Sequence, residues 1–266
     1  MSKIIFRIVT IIMLAITIVY KVNAESSFQN GLELKVQCKN LQGKITDEFA
    51  VNEPVWLFIE LINKNAAPIS VWIDGDEYRG ITCQPTHACE AKARVVLNDV
   101  HLERNFREMI ISSGERIAVD APLSDFLQVQ DKCSFSLDCE MSLKNEKGKS
   151  FVIKTVVFLQ FTRGLDAQEI SRLVDQLQRQ FDSGDESARV RVVKSSGSFP
   201  SSAVVEFLAK AISNNSERVQ LAALRVLSAM MAPKKQVMPL LQKAEQSDKE
   251  SVRRKAAIDI KKYQEQ

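Results

Sequence analysis

The sequence predicts a multidomain protein of class β then α: an antiparallel β-sandwich followed by a short α-solenoid of about three helical hairpins. The composition changes near Gly164, because residues 25–164 contain all five Cys, both Trp and both His. Residues 165–266 contain none of these and place Ala, Leu, Lys, Arg and Glu at helical spacing. We therefore expect a leader over 1–24, a strand domain over 25–164 and a helical repeat domain over 165–266.

The N-terminus has the features of a secretory signal peptide. Lys3 and Arg7 precede an apolar run of 13 residues over 8–20, and Ala24 provides a small residue for cleavage. An uncleaved anchor is the alternative, but the run is shorter than the ~20 residues that cross a bilayer as a helix. We predict cleavage after Ala24, a periplasmic or extracellular protein, and no stable membrane span in the mature chain.

Removing the leader changes the charge of the protein. The full chain has 36 Lys and Arg against 33 Asp and Glu, and the leader takes three basic residues and no acidic one. The mature chain is therefore predicted to be neutral. A nucleic-acid partner requires a clustered basic footprint, so we expect none.

The strand domain is predicted from short runs with a period of two. The runs 32–38 and 133–143 alternate apolar with polar residues, as half-buried strands do. A turn at 145–148 leads into a strand over 151–161. Further strands are predicted at 55–62, 69–73, 93–97 and 109–111. About seven short strands separated by turns favour an antiparallel sandwich.

Several segments of the strand domain occur in a recognisable order: Glu53-Pro54, the apolar run 55–62, Asn63, Pro68-Ile69, and Ser113-Gly114-Glu115 before a later strand. In this order they resemble the strands of bacterial immunoglobulin-like domains. The resemblance covers about half of the strand domain. It implies an immunoglobulin-like fold and no particular activity.

Five cysteines in an exported domain predict disulfide bonds among Cys38, Cys83, Cys89, Cys133 and Cys139. A Pro-containing loop between Cys83 and Cys89 is suited to closing locally. Cys133 and Cys139 lie ~20 Å apart on one predicted strand, beyond the ~7 Å between Cα atoms that a disulfide allows. We favour one of them pairing with Cys38, which leaves one free thiol. The alternative is a loop over 133–139 that pairs its own two cysteines.

Two clusters of potential metal ligands have weak support in the sequence. The spacing of Cys83, His87 and Cys89 matches no common zinc pattern, and a disulfide loop explains it better. The acidic residues Asp74, Asp76 and Glu77 are too few for a calcium loop and are typical of a solvated turn. We expect no metal and no cofactor.

Six amphipathic segments are predicted in the C-terminal domain. The first and the last begin at capping boxes, Asp166 with Glu169 and Ser247 with Glu250. The six predicted helices cover residues from 166 to about 183, 186–195, from Pro200, from Ser216, 236–246 and from Ser247.

The helical segments repeat. The run 219–224 returns 33 residues later at 252–257, and a weaker copy at 188–193 begins 31 residues before Val219. The first two runs share an Ala at the fifth position, where a neighbouring helix comes close. These helix pairs resemble HEAT repeats, and three of them are about the minimum that buries a continuous core. The resemblance implies a protein-binding scaffold.

Basic residues crowd the C-terminal end, where Arg253, Arg254, Lys255, Lys261 and Lys262 lie within ten positions. They are candidates for binding an acidic partner or anionic envelope lipid. The alternative is a soluble polar cap on the last repeat.

The common catalytic motifs are absent: no nucleophile elbow, H-E-x-x-H, P-loop or dinucleotide fingerprint occurs in the sequence. His101 is predicted to lie at the surface. We expect a non-enzymatic exported interaction or scaffold module whose partner is another exported or envelope protein. One alternative is a protease-inhibitor-like binder that presents the 83–89 loop. Another is a carbohydrate-binding or hydrolase accessory protein that uses Trp56, Trp72 and Tyr78.

Overall fold

The computed structural model of the chain describes five stretches: residues 28–74, 80–86, 93–95, 106–230 and 232–265. The predicted signal peptide lies outside them, as do Cys89, both histidines, Asp76, Glu77 and Tyr78. The expectations about those residues therefore stay predictions. Among the helices within these stretches, none is long and apolar enough to cross a membrane.

The described residues form strands first and helices afterwards. The strands are β1 Phe28–Gln29, β2 Leu32–Lys39, β3 Glu48–Val51, β4 Trp56–Asn63, β5 Ile69–Asp74, β6 Ile81–Thr86, β7 Ala93–Val95, β8 Phe106–Ile111, β9 Arg116–Pro122, β10 Leu127–Val129, β11 Cys133–Lys144 and β12 Ser150–Gly164. The helices are α1 Ala167–Ser183, α2 Glu186–Ser195, α3 Ser201–Ile212, α4 Glu217–Ala229, α5 Lys234–Glu245 and α6 Glu250–Glu265. Short 3-10 turns cover Leu123–Asp125 and Ser196–Ser198.

The strands form two larger sheets and one small one. The first has the order β1-β2-β4-β9, and the second has the order β3-β12-β11-β5-β8, with β6 also paired to β11. Strands β7 and β10 pair separately. The expectation of wholly antiparallel strands was wrong, because β3 pairs with β12 in parallel. A parallel pair needs a long crossover, and here most of the strand region separates the two strands in sequence.

Alternation along the strands builds one shared core. The predicted period of two in β2 is confirmed, since its Leu, Val and Cys side chains are buried while the residues between them are partly exposed. Strand β11 buries Phe135 and every second residue after it as far as Leu143. Both sets belong to the same buried cluster, so the inward faces of the two larger sheets meet each other.

Strand β6 corrects the expectation of a loop after Cys83. Residues 83–86 continue the strand and pair with β11 in register, with Pro85 opposite Leu137. The Pro suggested a break, but proline occupies a strand position where no N–H is needed for the ladder. Cys83 consequently points into the core, where it is buried.

The helical predictions are largely confirmed, because caps and periodicity are local signals. Asp166 and Glu169 form the predicted capping box at the start of α1. Helix α5 begins two residues earlier than expected, after Pro233. Helix α6 begins later than expected, at Glu250, and the Ser247 hydroxyl accepts from the amide of Lys249 at 3.2 Å.

The six helices pack in two rows. Helices α2, α4 and α6 contact one another in succession and form the inner row, while α1, α3 and α5 form the outer row. One continuous apolar cluster fills the space between the rows. The structure therefore confirms the predicted order, with strands first and a short stack of three helical hairpins afterwards.

Candidate interaction face of the helical repeats

Equivalent contacts in the three helix pairs define which positions correspond. The side chains of Arg189, Gln220 and Arg253 lie in the first turn of the three inner helices. Each donates a hydrogen bond to a carbonyl in the last turn of the preceding outer helix or just beyond it. The acceptors are the carbonyls of Phe181, Ile212 and Ser247, at 3.0, 2.9 and 2.8 Å.

A second set of contacts links each inner helix to the next. The Ser216 hydroxyl donates to the Glu186 carboxylate at 2.5 Å, and Arg218 lies 3.1 Å from the same carboxylate. One repeat later, the Ser251 hydroxyl donates to Glu217. The hydrogen bond from Ser216, with the charge of Arg218, holds the pKa of Glu186 below its ordinary value. Neighbouring repeats are therefore joined by polar contacts at the starts of the inner helices.

This correspondence places three dissimilar residues at one position of the inner helices: Lys194 on α2, Arg225 on α4 and Ile258 on α6. Lys194 is 6% exposed, whereas Arg225 is exposed and Ile258 is 47% exposed. The position one turn earlier is held by Val190, Leu221 and Arg254. The same face of the inner row is thus covered in the first repeat and accessible in the second and third.

The strand region covers the first inner helix. The Trp56 indole N–H donates to the Ser195 hydroxyl at 3.0 Å, and the guanidinium of Arg191 lies 4.5 Å from the centre of the Trp56 ring. Arg191 also pairs with Asp120 at 3.1 Å. Trp56 is buried, so this junction excludes water from the turn of α2 that carries Lys194.

A cleft of about 300 Å³ opens beside the junction, between the strands and the start of α3. Its walls are mostly apolar or neutral and polar, with Phe161, Phe199 and Gln130 among them, and Glu53 is the acidic residue of the lining. The acidic side chain of Glu53 accepts a hydrogen bond from the Ala50 amide at 2.9 Å. The Ser124 hydroxyl at its wall is buried without a hydrogen-bond partner.

The basic residues predicted to bind a partner have different environments. Arg254 and Lys262 are exposed. Lys255 pairs with the buried Asp259 at 2.6 Å and so stabilises the last repeat, as Arg253 does through Ser247. Lys261 lies 3.9 Å from Glu265 on the same helix. Partner binding by these five residues stays a prediction.

The remaining predicted site residues do not converge on one place. No disulfide joins Cys38, Cys83, Cys133 or Cys139 in the structure. Trp56 is buried at the junction, whereas Trp72 on β5 is 36% exposed. Asp74 is buried at the end of β5. Within the described stretches, no group of three or more His, Cys, Asp or Glu side chains is arranged to hold a metal ion.

Sequence reasoning missed three residues of the exposed face: Leu221, Arg225 and Ile258. Each looks like an ordinary residue of an amphipathic helix when the helix is read alone. Aligning the three inner helices position by position would have brought Lys194, Arg225 and Ile258 together. The alignment alone would not have predicted their difference in burial, because that difference depends on where the strand region packs.

Residues 170–260 match the family model described as HEAT repeats. The match covers the helical region and confirms the HEAT-like prediction made for it. The family model does not extend to the strand region. A comparison with curated proteins finds no match.

Solved structures resemble parts of the chain only weakly. A putative ApaA protein from Bordetella pertussis is 10% identical, over 50% of this chain and 94% of that chain, with a TM-score of 0.27. A β-glucuronidase from Bacteroides uniformis is 10% identical, over 86% of this chain and 32% of that chain, with a TM-score of 0.25. Similarity at this level says nothing about the function of this chain.

Proposed function

We propose that this chain is an exported, non-enzymatic scaffold that binds another exported or envelope protein through its second and third helical repeats. We define the interaction face as Leu221, Arg225, Arg254, Ile258 and Lys261. The observation that carries the proposal is the unequal burial of equivalent positions. Lys194 is buried next to Ser195, which contacts Trp56 of the strand region, while Arg225 and Ile258 are exposed at the equivalent positions of the inner row.

The chemistry of the interaction face indicates the kind of partner. The interaction face combines three cationic side chains with an exposed isoleucine and a half-buried leucine. Binding surfaces commonly combine an apolar centre with a charged rim that steers and orients the partner. The partner that fits this face is a protein surface with an apolar patch bordered by Asp and Glu.

Export and the type of strand domain complete the proposal. The apolar leader with its cleavage site supports secretion, and the cysteine content of the strand half is typical of an oxidising compartment. The order of its segments supports an immunoglobulin-like sandwich that holds the helical repeats at a fixed position. In this arrangement the strand half is the support and the helical repeats are the binding part.

Affinity capture with matched variants tests the binding function. The mature chain is immobilised as wild type, as Ile258→Asp with Arg225→Glu, and as Lys235→Glu, a charge reversal at an exposed residue of the outer row. Each is exposed to envelope extract and culture fluid. We expect one protein to be retained by the wild type and by the Lys235 variant, with at least a tenfold loss on the double variant.

Two results would overturn this function. The first is equal retention by the wild type and the double variant, which would place binding elsewhere. The second is retention of glycans and no protein, which would favour a carbohydrate-binding role. Trp56 is already unsuited to a carbohydrate-binding role, because the Trp56 ring is buried against α2.

A further inference from the structure

Two cysteines from neighbouring strands meet in the core of the strand region. Cys83 on β6 lies directly opposite Cys139 on β11. Their sulfur atoms are 3.0 Å apart, and the residues are 4% and 0% exposed. Two thiols at this separation, on facing strands and in a dry environment, have the positions that a cross-strand bond requires.

The hydrogen-bond pattern of the ladder shows what kind of pair they are. The Ser142 amide donates to the Gly80 carbonyl at 3.2 Å, which makes Ser142 and Gly80 a hydrogen-bonded pair. Such pairs alternate along an antiparallel ladder, so Cys139 and Cys83, three positions further on, form a pair without hydrogen bonds between them. Pro85 agrees with this phase, because it lacks an N–H and lies opposite Leu137 two positions later.

Pairs of this kind bring side chains closest together. Their Cα atoms lie about 4.5 Å apart, inside the range of roughly 4.4–6.8 Å that disulfides span. We infer that Cys83 and Cys139 form a disulfide that ties β6 to β11 in the exported protein. This linkage goes beyond the binding function proposed above, and it replaces the local Cys83–Cys89 pairing expected from spacing.

The bond forms by thiol–disulfide exchange with a disulfide reagent, either a protein oxidoreductase or a small-molecule disulfide. One cysteine thiolate attacks the reagent, giving a mixed disulfide and releasing one reagent thiol. The second cysteine then attacks its partner's sulfur in the mixed disulfide and releases the other reagent thiol. The protein loses two S–H bonds and gains one S–S bond, while the reagent's S–S bond becomes two S–H bonds.

Burial determines when the exchange takes place. The hydrogen bond with Cys83, together with burial, raises the pKa of Cys139 well above its ordinary value. The thiolate is the reactive form, so the folded reduced protein reacts slowly. Oxidation is therefore expected during folding before β6 has paired with β11, or when that pairing opens transiently. Once formed, the buried bond is shielded from reductants.

A third thiol provides the main competitor. Cys38 on β2 is buried across the core, and burial followed by the charge of Cys139 raises its pKa. Cys38 belongs to the other large sheet, whereas Cys83 faces Cys139 within one ladder. Pairing of β6 with β11 holds Cys83 directly opposite Cys139, and this favours Cys83 over Cys38 as the partner of Cys139.

Peptide mapping of the full chain, secreted into an oxidising compartment, tests the linkage. The protein is unfolded without reductant, alkylated, digested and analysed by mass spectrometry. We expect a peptide containing Cys83 linked to one containing Cys139, with Cys38 and Cys133 alkylated. Cys133→Ala serves as the matched control and should keep the linkage. Native protein should resist reduction, and reduction after partial unfolding should lower its melting temperature by about 10 °C.

Three results would overturn the inference. The first is a Cys83–Cys89 linkage, and the second is a bond between Cys38 and Cys139. The third is complete alkylation of both Cys83 and Cys139 in wild-type protein taken from the oxidising compartment. Because the map is made on the wild type, none of these outcomes depends on whether a cysteine variant folds.

Discussion

The first helical repeat and the two that follow it share their contacts but differ in what covers them. Arg189 and Gln220 make the same hydrogen bond to the outer row, yet Lys194 is buried while Arg225, one repeat later, is exposed. Trp56 and Asp120 of the strand region contact α2 close to Lys194, whereas the contact of the strand region with α4 is made by Gln128 at the carbonyl of Ala229, the last residue of that helix. Equivalent sequence positions therefore serve as a junction in one repeat and as open surface in the others.

This difference has a structural reason. A helical stack has two ends, and each end needs a surface that tolerates water or a neighbour that excludes it. Here the strand region is the neighbour at the first repeat, and through Gln128 it also touches the end of the second inner helix. The later repeats retain their inner surface, and this is the surface that we propose to bind the partner.

The largest effect on this comparison is expected from Trp56→Ala. Losing this buried aromatic side chain should lower the free energy of unfolding by about 4 kcal/mol, because the variant also removes the indole contacts of Arg191 and Ser195. Urea unfolding is the measurement. Trp72→Ala is the control, since that partly exposed ring should cost under about 1 kcal/mol. Similar losses in both variants would mean that Trp56 is not the anchor of the junction.

A smaller loss is expected when the last repeat is weakened from inside. Asp259 is buried and contacts Lys255 at 2.6 Å and the Ser228 hydroxyl at 2.6 Å. Asp259→Ala removes the carboxylate partner of the Lys255 charge and one hydrogen bond of Ser228, and should cost about 3 kcal/mol. Glu265→Ala removes an exposed partner of Lys261 and should change stability by less than about 0.5 kcal/mol. Equal stability of the two variants would argue against a tight contact between the second and third repeats.

Charge reversal at equivalent positions of the first and second repeats tests directly whether the first is buried and the second is exposed. Lys194→Glu puts the opposite charge into a buried site and should cost about 2 kcal/mol. Arg225→Glu lies on the exposed side and should change stability by less than about 0.5 kcal/mol. Denaturant unfolding measures the loss of stability in the two variants. A larger loss for Arg225→Glu than for Lys194→Glu would contradict burial of this position in the first repeat.

The smallest effect concerns the pH dependence of the link between the first two repeats. Because the pKa of Glu186 is lowered in the folded state, its contribution to stability is present above its unfolded pKa and is lost as pH falls through the folded value. An NMR titration of the carboxyl should show the lowered pKa. Ser216→Ala, which removes the strongest contact, should move it back toward normal. An unchanged pKa in that variant would show that the hydroxyl does not hold the carboxylate.

The sequence predicted local features better than distant pairings. The Asp166 cap and the start of α2 at Glu186 could be read because helix caps involve residues three apart. The parallel pairing of β3 with β12 and the strand through Pro85 could not, since each depends on a partner far along the chain. For the site, Arg254 was predicted from the sequence, but Ile258 was not. The exposure of Ile258 became a useful signal only when the structure showed that Lys194, at the equivalent position of the first repeat, is buried.

Site-specific photocrosslinking in the exporting cell tests the central proposal most directly. A photoreactive amino acid is placed at position 258 on the interaction face or at position 235 on the outer row. We expect a cross-link to one exported protein from position 258 and none from position 235. A cross-link from position 235 alone, or none from position 258 while the protein is folded and exported, would contradict the proposed interaction face.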